Sequence, residues 1–377
     1  MFFLLFYYNR KMKLSKKQVT AFQNSLLGWY DQHKKPLPWR KTTEPYQIWI
    51  SEIMSQQTQV ETVIPYFERF MAKYPTLMDL ATADDAELLK LWEGLGYYSR
   101  ARNLKLAAQE IVTNFDGSFP EHLSDIQSLR GIGPYTAAAI ASIAYGQPEP
   151  AIDGNLMRVT SRVFEMTDDT SQAKSRKAFD EVLRKLISSE RPGDFNQALM
   201  DLGSTVCKPK IALCAACPLA EFCQSRAKGT QLNFPIKTKK IKQKDLYFTA
   251  FALQNAAGEY YLEKRPESGL LANMWTFPLT KLSGEDFEKI VTDGAISNNG
   301  LLPELPESIS KLTYVGNFTH IFSHQKWHIV LVKAQPEEHF QLTENHLSEE
   351  KMWLTDLSAI PLAGPQVKMF EMLTKEK

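Results

Sequence analysis

The stretch Leu129-Arg130-Gly131-Ile132-Gly133-Pro134-Tyr135-Thr136-Ala137 decides how the rest of this chain is read. Two glycines stand two apart, immediately before an apolar, Ala-rich run that continues to about Tyr145 and predicts a helix. Glycines at such a turn permit positive φ and close approach of another backbone, while the free N–H groups of a helix N-terminus aim at an anion. A phosphate held at the turn is one reading. A tight turn between two helices with no ligand is the other, and the G-x-G pattern alone does not decide between them.

Moving outward, Asp153 stands twenty residues beyond Gly133, in Ala151-Ile152-Asp153-Gly154-Asn155-Leu156. Taken alone it reads as a cap on the following helix. All four cysteines of the chain, Cys207, Cys214, Cys217 and Cys223, fall within 17 positions, spaced C-x6-C-x2-C-x5-C. Such crowding implies a shared ligand. Four thiolates without a histidine suit an iron–sulfur cluster or structural zinc, and the irregular spacing, unlike the paired C-x2-C knuckles of common zinc sites, favours a 4Fe–4S cluster. Disulfides are the bland alternative, set against by the lack of a secretion signal. Lys208 and Lys210 would place positive charge at the rim of the cluster loop 207–223.

From about Lys13 to Lys228 apolar residues return every three or four positions, as in Ile48, Trp49, Ile53 and Met54 and then Val60, Val63, Ile64 and Phe67. Pro and Gly cut this pattern into helices of ordinary length. Asn233 to Lys244, with Lys237, Lys239, Lys240, Lys242 and Lys244, reads as a solvated basic linker. Beyond it the texture changes to strands: Phe248–Leu253 and Tyr260–Leu262 flank a turn at Gly258, and Trp327–Val332 is rich in β-branched residues. Gly284–Asp293 and Gly364–Lys375 still read as helices. The expected fold class is multidomain, an all-α region over 13–230, a basic linker over 231–244, and an α+β domain over 245–377.

The chain has 377 residues, 44% hydrophobic and 23% charged, which excludes a wholly disordered, collagen-like or coiled-coil protein. Its net charge of +1 hides an asymmetry. Residues 1–244 carry 33 Lys+Arg against 25 Asp+Glu, whereas 245–377 carry 11 against 18. A basic first part of +8 beside an acidic second part of −7 points to a polyanion partner for the first. No apolar run approaches the ~18–20 residues that span a bilayer. The apolar start Phe2 to Tyr8 lacks a basic flank and a small-residue cleavage site, and reads as an extra segment ahead of a second start at Met12. A cytoplasmic protein with no membrane partner is expected.

Together, the L-x-G-x-G-x-x-T-A turn, the Asp twenty residues on and the C-x6-C-x2-C-x5-C cluster resemble the helix-hairpin-helix base-excision DNA glycosylases that carry an iron–sulfur cluster. Pro38-Trp39-Arg40, Ser51-Glu52-Ile53-Met54-Ser55-Gln56-Gln57-Thr58 and Gly94-Leu95-Gly96-Tyr97-Tyr98-Ser99-Arg100 are similar to segments of the MutY-type, adenine-specific branch. The likeness covers nearly the whole chain. It implies a hydrolase that excises adenine opposite 8-oxoguanine or guanine in double-stranded DNA, as a monomer, associated with the nucleoid when on DNA and handing its product to an abasic-site endonuclease.

Breaking an N-glycosidic bond to adenine needs an acid for the leaving base and a carboxylate for the sugar cation. The resemblance gives these roles to Glu52 and Asp153. Glu52 lies among apolar neighbours, which would raise its pKa; without the resemblance it reads as a helix-surface Glu. In the bifunctional relatives a Lys occupies the place of Tyr135 and forms a Schiff base with the sugar. Tyr forms none, so a monofunctional enzyme leaving an abasic site is expected, with Tyr135 and Asn155 bonding near Asp153. The target base must be flipped out and its place filled. By resemblance Gln57 and Tyr97 enter the stack, Gln56, Thr58 and Leu95 contact the opposite base or its neighbours, and Gly131 and Gly133 hold the backbone.

The stretch Gly269 to Pro278 resembles the Nudix-like carboxy-terminal domain of the same family, with a less typical Asn273-Met274 pair. The R-E-x-x-E-E box of a Nudix hydrolase is absent, so the domain is expected to read 8-oxoguanine and catalyse nothing. Phe322-Ser323-His324 matches the family's F-S-H loop, with Ser323 as the direct contact. His320, His324 and His328 recur every four residues, but strand-like flanks and a turn at Ser323–Lys326 argue against a metal-binding helix face. Two other classes compete with the leading reading: an endonuclease acting on oxidised pyrimidines, which Tyr135 and the added domain argue against, and a non-catalytic iron–sulfur DNA-binding or redox-sensing protein.

Overall fold

The computed structural model describes residues 14–238, 243–294, 309–336, 351–357 and 360–375. The start at 1–11 and the lysines Lys239, Lys240 and Lys242 lie outside the described residues. By internal contacts the chain forms two compact units, 1–83 with 103–239, and 84–102 with 240–377. No described helix is long and apolar enough to cross a membrane.

In the first unit α1 (Lys16–His33), α2 (Pro45–Ser55), α3 (Val60–Lys73) and α4 (Leu77–Ala81) come first. The apolar pattern from Ile48 to Phe67 does not run as one helix: the chain breaks at Gln56–Gln59, where Gln57 takes a φ of +58°. Helix α5 (Asp85–Leu91) follows in the second unit, and α6 (Ser99–Asn114) leads back to the first. The remaining helices of the first unit are α7 (Leu123–Ser128), α8 (Pro134–Ala144), α9 (Gly154–Phe164), α10 (Arg176–Leu183), α11 (Pro192–Thr205) and α12 (Gln224–Lys228).

Helix α8 is Ala-rich because it is buried on nearly every side, between α2, α7 and α11. Small side chains let these helices approach closely. A second core joins Phe22, Leu26 and Tyr30 of α1 to Leu156 and Val159 of α9 and Phe195 and Leu199 of α11. At the turn that opened the sequence reading, only one of the two glycines is needed as a glycine. Gly131 has φ +78°, and a Cβ there would lie 2.8 Å from Asn103 Cβ. Gly133 is the N-cap of α8 with φ −87°, and a Cβ there would meet open space.

The segment expected to be a solvated linker is anchored over its first half. Phe234 O accepts from Arg162 Nε at 3.0 Å, Ile236 O from Thr170 N at 3.0 Å, and Thr238 bonds Asp169. These bonds satisfy backbone groups that a free linker would leave to water.

The second unit contains two sheets. One has the order β4 (Leu279–Leu282), β1 (Lys244–Leu253), β6 (Gln325–Pro336), β5 (Ile309–Ile321); the other β3 (Trp275–Thr276), β2 (Tyr260–Lys264), β7 (Lys351–Leu354). β1 and β6 are parallel, the other pairs antiparallel. The Gly258 turn closes one bridge, Gln254 to Tyr260, after which β1 and β2 diverge into different sheets. Helices α13 (Gly284–Asp293) and α14 (Gly364–Thr374) match the expected helical segments. β5 and β6 form a hairpin with Ile321 opposite Lys326, so Phe322, Ser323 and His324 occupy its tip.

Segment 84–102 joins this unit through backbone carbonyls: Lys90 Nζ donates to Ile360 O at 3.2 Å, Tyr98 OH to Leu362 O at 3.1 Å and Arg102 Nη1 to Ala272 O at 2.9 Å. The compact units therefore differ from the contiguous segments 13–230 and 245–377 by this excursion and by the division of 231–244 between them at 239/240.

Substituting Gly131→Ala should cost roughly 1–3 kcal/mol through strain at positive φ and the Asn103 clash. Gly133→Ala should stay within about 0.5 kcal/mol. Melting midpoints of the two variants check the pair.

Candidate active site

Glu52 occupies the later half of α2, one turn after the buried Ile48 and Trp49 and next to the buried Ile53 and Met54. Its carboxyl keeps some exposure to solvent but has protein around most of it. Tyr135, in the first turn of α8, donates its OH to Glu52 Oε2 at 2.7 Å. Burial and the adjacent Glu52 push the Tyr135 phenol well above its usual range, so the tyrosine is the donor. Glu52 itself is raised above the usual carboxylate range, by burial first and by the charge of Asp153 in addition; Tyr135 and Arg40 pull it partly back. Arg40 is fixed by a two-pronged pair with Asp201, Nη1 to Oδ2 and Nη2 to Oδ1, both at 2.8 Å.

Asp153 is the N-cap of α9, as a lone-residue reading would have it, and it is also part of this site. Leu156 N donates to Oδ1 at 2.7 Å and Asn155 Nδ2 to Oδ2 at 2.7 Å. Burial raises Asp153 above the ordinary Asp range, while these bonds and the positive charge of Arg158 oppose the rise. Of the two residues expected to bond near Asp153, Asn155 bonds it directly, while Tyr135 bonds Glu52, and the charge of Asp153 adds to the rise of both the phenol and the acid.

Asn155 is itself held. Arg158, one turn further along α9, donates from Nη2 to Asn155 Oδ1 at 2.8 Å and to Gly203 O at 2.8 Å. Its Nε donates to Cys207 O at 2.9 Å. A Cβ on Gly203 would lie 2.7 Å from Asn155 Cβ, so a glycine there makes room for the amide. Arg158, Gly203 and the Arg40–Asp201 pair were missed by the sequence reading. Arg158 could have been found from its i,i+3 spacing to Asn155, and Arg40 from its place in Pro38-Trp39-Arg40; nothing local marks Gly203.

The four cysteines are free thiols that line one recess with Val159, Val163 and Arg162. Arg162, 2% exposed, donates from Nη1 to Cys207 Sγ at 3.2 Å and to Lys208 O at 2.8 Å. Burial pushes the Cys217 thiol up to about 12, and the other three cysteines are close enough to add to the rise. Thiols so crowded ionise together only if a cationic group shares the recess.

The remaining predicted residues fall in two places. In the first unit, Gln56 Nε2 donates to Thr136 Oγ1 at 3.2 Å, Thr58 Oγ1 to Gln56 O at 3.4 Å, and Gln57 is exposed in the left-handed region. In the second unit, Tyr97 has φ +48° and is 46% exposed, with its OH against Ser323 Oγ. Phe322 packs on Trp327, and His324 is exposed at the hairpin tip. Leu95 is 5% exposed, so its side chain is not presented to a ligand here. His328 Nε2 donates to Asp245 Oδ1 at 2.8 Å, and its Nδ1 bonds Thr319 Oγ1 across the strands at 3.2 Å.

A buried acid paired with a tyrosine, a capped aspartate beside it and a cysteine-lined loop, on helices joined by a glycine turn, define the class of helix-hairpin-helix base-excision glycosylases. Residues 50–185 match the HhH-GPD superfamily base excision DNA repair protein family, and 249–372 the NUDIX domain. Over 362 residues the chain is 37% identical to adenine DNA glycosylase of Rattus norvegicus, covering 82% of this chain and 69% of the rat protein. Over 364 residues it is 32% identical to adenine DNA glycosylase of Buchnera aphidicola subsp. Acyrthosiphon pisum, covering 94% and 98%. Among solved structures, a thermostable thymine-DNA glycosylase aligns at TM-score 0.52 and 28% identity over 56% of this chain and 98% of that one. The chain belongs to the adenine DNA glycosylase family.

Because Glu52 titrates higher in the folded state than when unfolded, its contribution is most favourable at low pH and falls as pH rises through the folded value. Glu52→Gln should therefore raise stability at pH 8. The gain should fade as pH drops toward about 4, the ordinary Glu range. Melting midpoints across that interval check the sign.

Proposed function

We propose that this chain hydrolyses the N-glycosidic bond of adenine mispaired with 8-oxoguanine or guanine in double-stranded DNA and leaves an abasic site. The observation that carries the reading is the pair of unlike carboxyls, Glu52 with a single phenol as hydrogen-bond partner and Asp153 held by a helix N-terminus and an amide. Burial raises both carboxyls, but at Asp153 a backbone N–H, an amide and the charge of Arg158 oppose the rise, and such unlike surroundings can divide acid and base roles. Protonated Glu52 delivers its proton to N7 of the flipped adenine; the C1′–N9 bond breaks as positive charge grows on the deoxyribose. Ionised Asp153 faces that charge, and water completes the exchange at C1′. Asn155 and Arg158 hold the carboxylate in place, and Tyr135 orients the acid. With a phenol rather than an amine at position 135, no Schiff base forms and the strand is not cut.

The DNA contacts are assigned to Gln56, Gln57, Thr58, Leu95, Tyr97, Gly131 and Gly133. The left-handed backbones of Gln57 and Tyr97 support a wedge role, since such conformations in residues with a Cβ concentrate at functional sites. Leu95 would have to leave its buried position to reach a base. Phe322, Ser323 and His324 are assigned to the base opposite adenine. Cys207, Cys214, Cys217 and Cys223 would hold a 4Fe–4S cluster, which supplies the cationic charge that clustered thiolates need. Arg162 at Cys207 Sγ and the shared recess support that fit. The C-x6-C-x2-C-x5-C spacing, unlike paired C-x2-C knuckles, favours a cluster over zinc. The same reading takes 13–230 as catalytic, 231–244 as the join, 245–377 as the base reader, and a monomer acting in the cytoplasm at the nucleoid, upstream of an abasic-site endonuclease.

Duplexes containing A:8-oxoguanine, thymine glycol or neither, incubated with the protein and then treated with alkali, test the reading. Alkali-dependent cleavage at adenine alone is expected; direct cleavage at thymine glycol, or none anywhere, contradicts it. Asp153→Asn should lower single-turnover adenine release by roughly 10²–10³-fold or more while DNA binding persists. Retained turnover would remove Asp153 from the mechanism.

A further inference from the structure

A closed circuit of contacts runs through the second unit and passes through the tip of the hairpin. Tyr97 OH meets Ser323 Oγ. Beside Ser323, the Phe322 ring stands edge-on to the buried Trp327, centroids 4.9 Å apart. The guanidinium of Arg265 lies over the same indole, 5.7 Å from its centroid. Arg265 Nε donates to Leu270 O at 3.0 Å, and Arg102 Nη1 to Ala272 O at 2.9 Å. Arg102 lies in the first turn of α6, whose start follows Tyr97 by two residues. The circuit so returns to the residue from which it began.

The backbone at and just past the two gripped carbonyls is strained. Leu271, between them, and Asn273, after the second, hold φ of +61° and +58°, a region that a branched apolar side chain such as Leu271 disfavours. Such conformations persist only where the surroundings over-determine them; here the backbone bonds from Asn273 N to Pro266 O and Met274 N to Leu271 O, both at 3.2 Å, close the turn and the two arginines grip its carbonyls. Neither arginine is placed as a stabilising ion pair. Burial pushes both below the usual Arg range; among the described residues no carboxylate offsets this at Arg265, and at Arg102 only Asp85 does so in part. A half-buried cation bonded to carbonyls and an indole face fixes geometry better than it stabilises.

The Tyr97 loop is fastened separately at its base. Arg100 Nη2 donates to Leu95 O at 2.9 Å and Gly96 O at 3.1 Å, and Trp92 Nε1 to Gly96 O at 3.1 Å. The circuit joins the Tyr97 hydroxyl, carried on this loop, to the hairpin tip. Guanine and 8-oxoguanine differ at N7, which changes from acceptor to donor, and at C8, which gains an acceptor oxygen. A hydroxyl can sort them only if it is placed in advance.

Resting on the assignment of Ser323 to the base opposite adenine, we propose that Arg265 and Arg102 are positioning residues for base discrimination. Gripping Leu270 O and Ala272 O, they hold the Tyr97 and Ser323 hydroxyls at a preset separation. The test is single-turnover adenine excision by the full chain on A:8-oxoguanine and A:G duplexes, for the wild type, Arg265→Lys, Arg102→Lys and Ser323→Ala. Lysine keeps the charge and loses the planar fork and the stacking. Each lysine variant should lower the preference for A:8-oxoguanine by about tenfold, the worth of roughly one net hydrogen bond. The loss should come from the A:8-oxoguanine rate alone, the unchanged A:G rate reporting an intact fold.

Equal slowing on both duplexes would mean a structural role and overturn the inference, as would a full preference in both lysine variants while Ser323→Ala loses it. A wild type without preference, or Ser323→Ala that keeps it, would instead overturn the assignment of Ser323, and the inference with it.

Discussion

A carboxyl group taken out of water must give up either its charge or its isolation, and the arrangement around Glu52 follows from that choice. Helix α2, whose Ile48, Trp49, Ile53 and Met54 are buried, carries the carboxyl into the protein interior, and that burial favours the neutral acid. One phenol is its hydrogen-bond partner, and α8 can bring that phenol to 2.7 Å only because its Ala-rich faces let it lie close to α2. The glycine turn before α8 serves the same end, since a side chain at Gly131 would push the turn away from Asn103. Helix packing, turn geometry and acid strength are thus one constraint seen at three scales.

Asp153 meets the same desolvation with more partners. It is also buried, yet it receives a backbone N–H, an amide and the field of a helix N-terminus, each of which favours the anion. The amide is oriented by Arg158, and Arg158 is bonded to the carbonyl of Cys207. The backbone of the cysteine loop therefore bears on the position of the carboxylate through two side chains. Arg162, one turn beyond on the same helix, reaches Cys207 Sγ and the following carbonyls. Helix α9 carries the aspartate at its start and the supports of the cysteine loop along one face.

Much of this was legible in the sequence because it is local. The turn at Leu129–Gly133, the cap at Asp153, the crowded cysteines and the change from helical to strand texture near 244 each follow from neighbours within a few residues. The partner of Tyr135 was not legible: Glu52 lies 83 positions away, and no spacing rule selects it over Asp153. Nor was the excursion of 84–102 into the second unit, which depends on bonds such as Lys90 to Ile360 O that span 270 positions. The pattern of lysines from 237 to 244 suggested a solvated strand of chain, but backbone bonds at Phe234 and Ile236 do not show in side-chain composition. The net charge of +1 was the least informative quantity of all, being the sum of a basic part and an acidic part.

The central claim is that Glu52 is a proton-carrying acid near neutral pH while Asp153 is its ionised counterpart. The direct measurement is the carbon-13 carboxyl shift of Glu52 against pH, in protein labelled at glutamate Cδ and assigned by its loss in Glu52→Gln. The account predicts a titration above the free-glutamate value of about 4.3 and a further rise in Tyr135→Phe, which removes the bond that holds it down. A titration within the ordinary range, or one that Tyr135→Phe leaves in place, would contradict it.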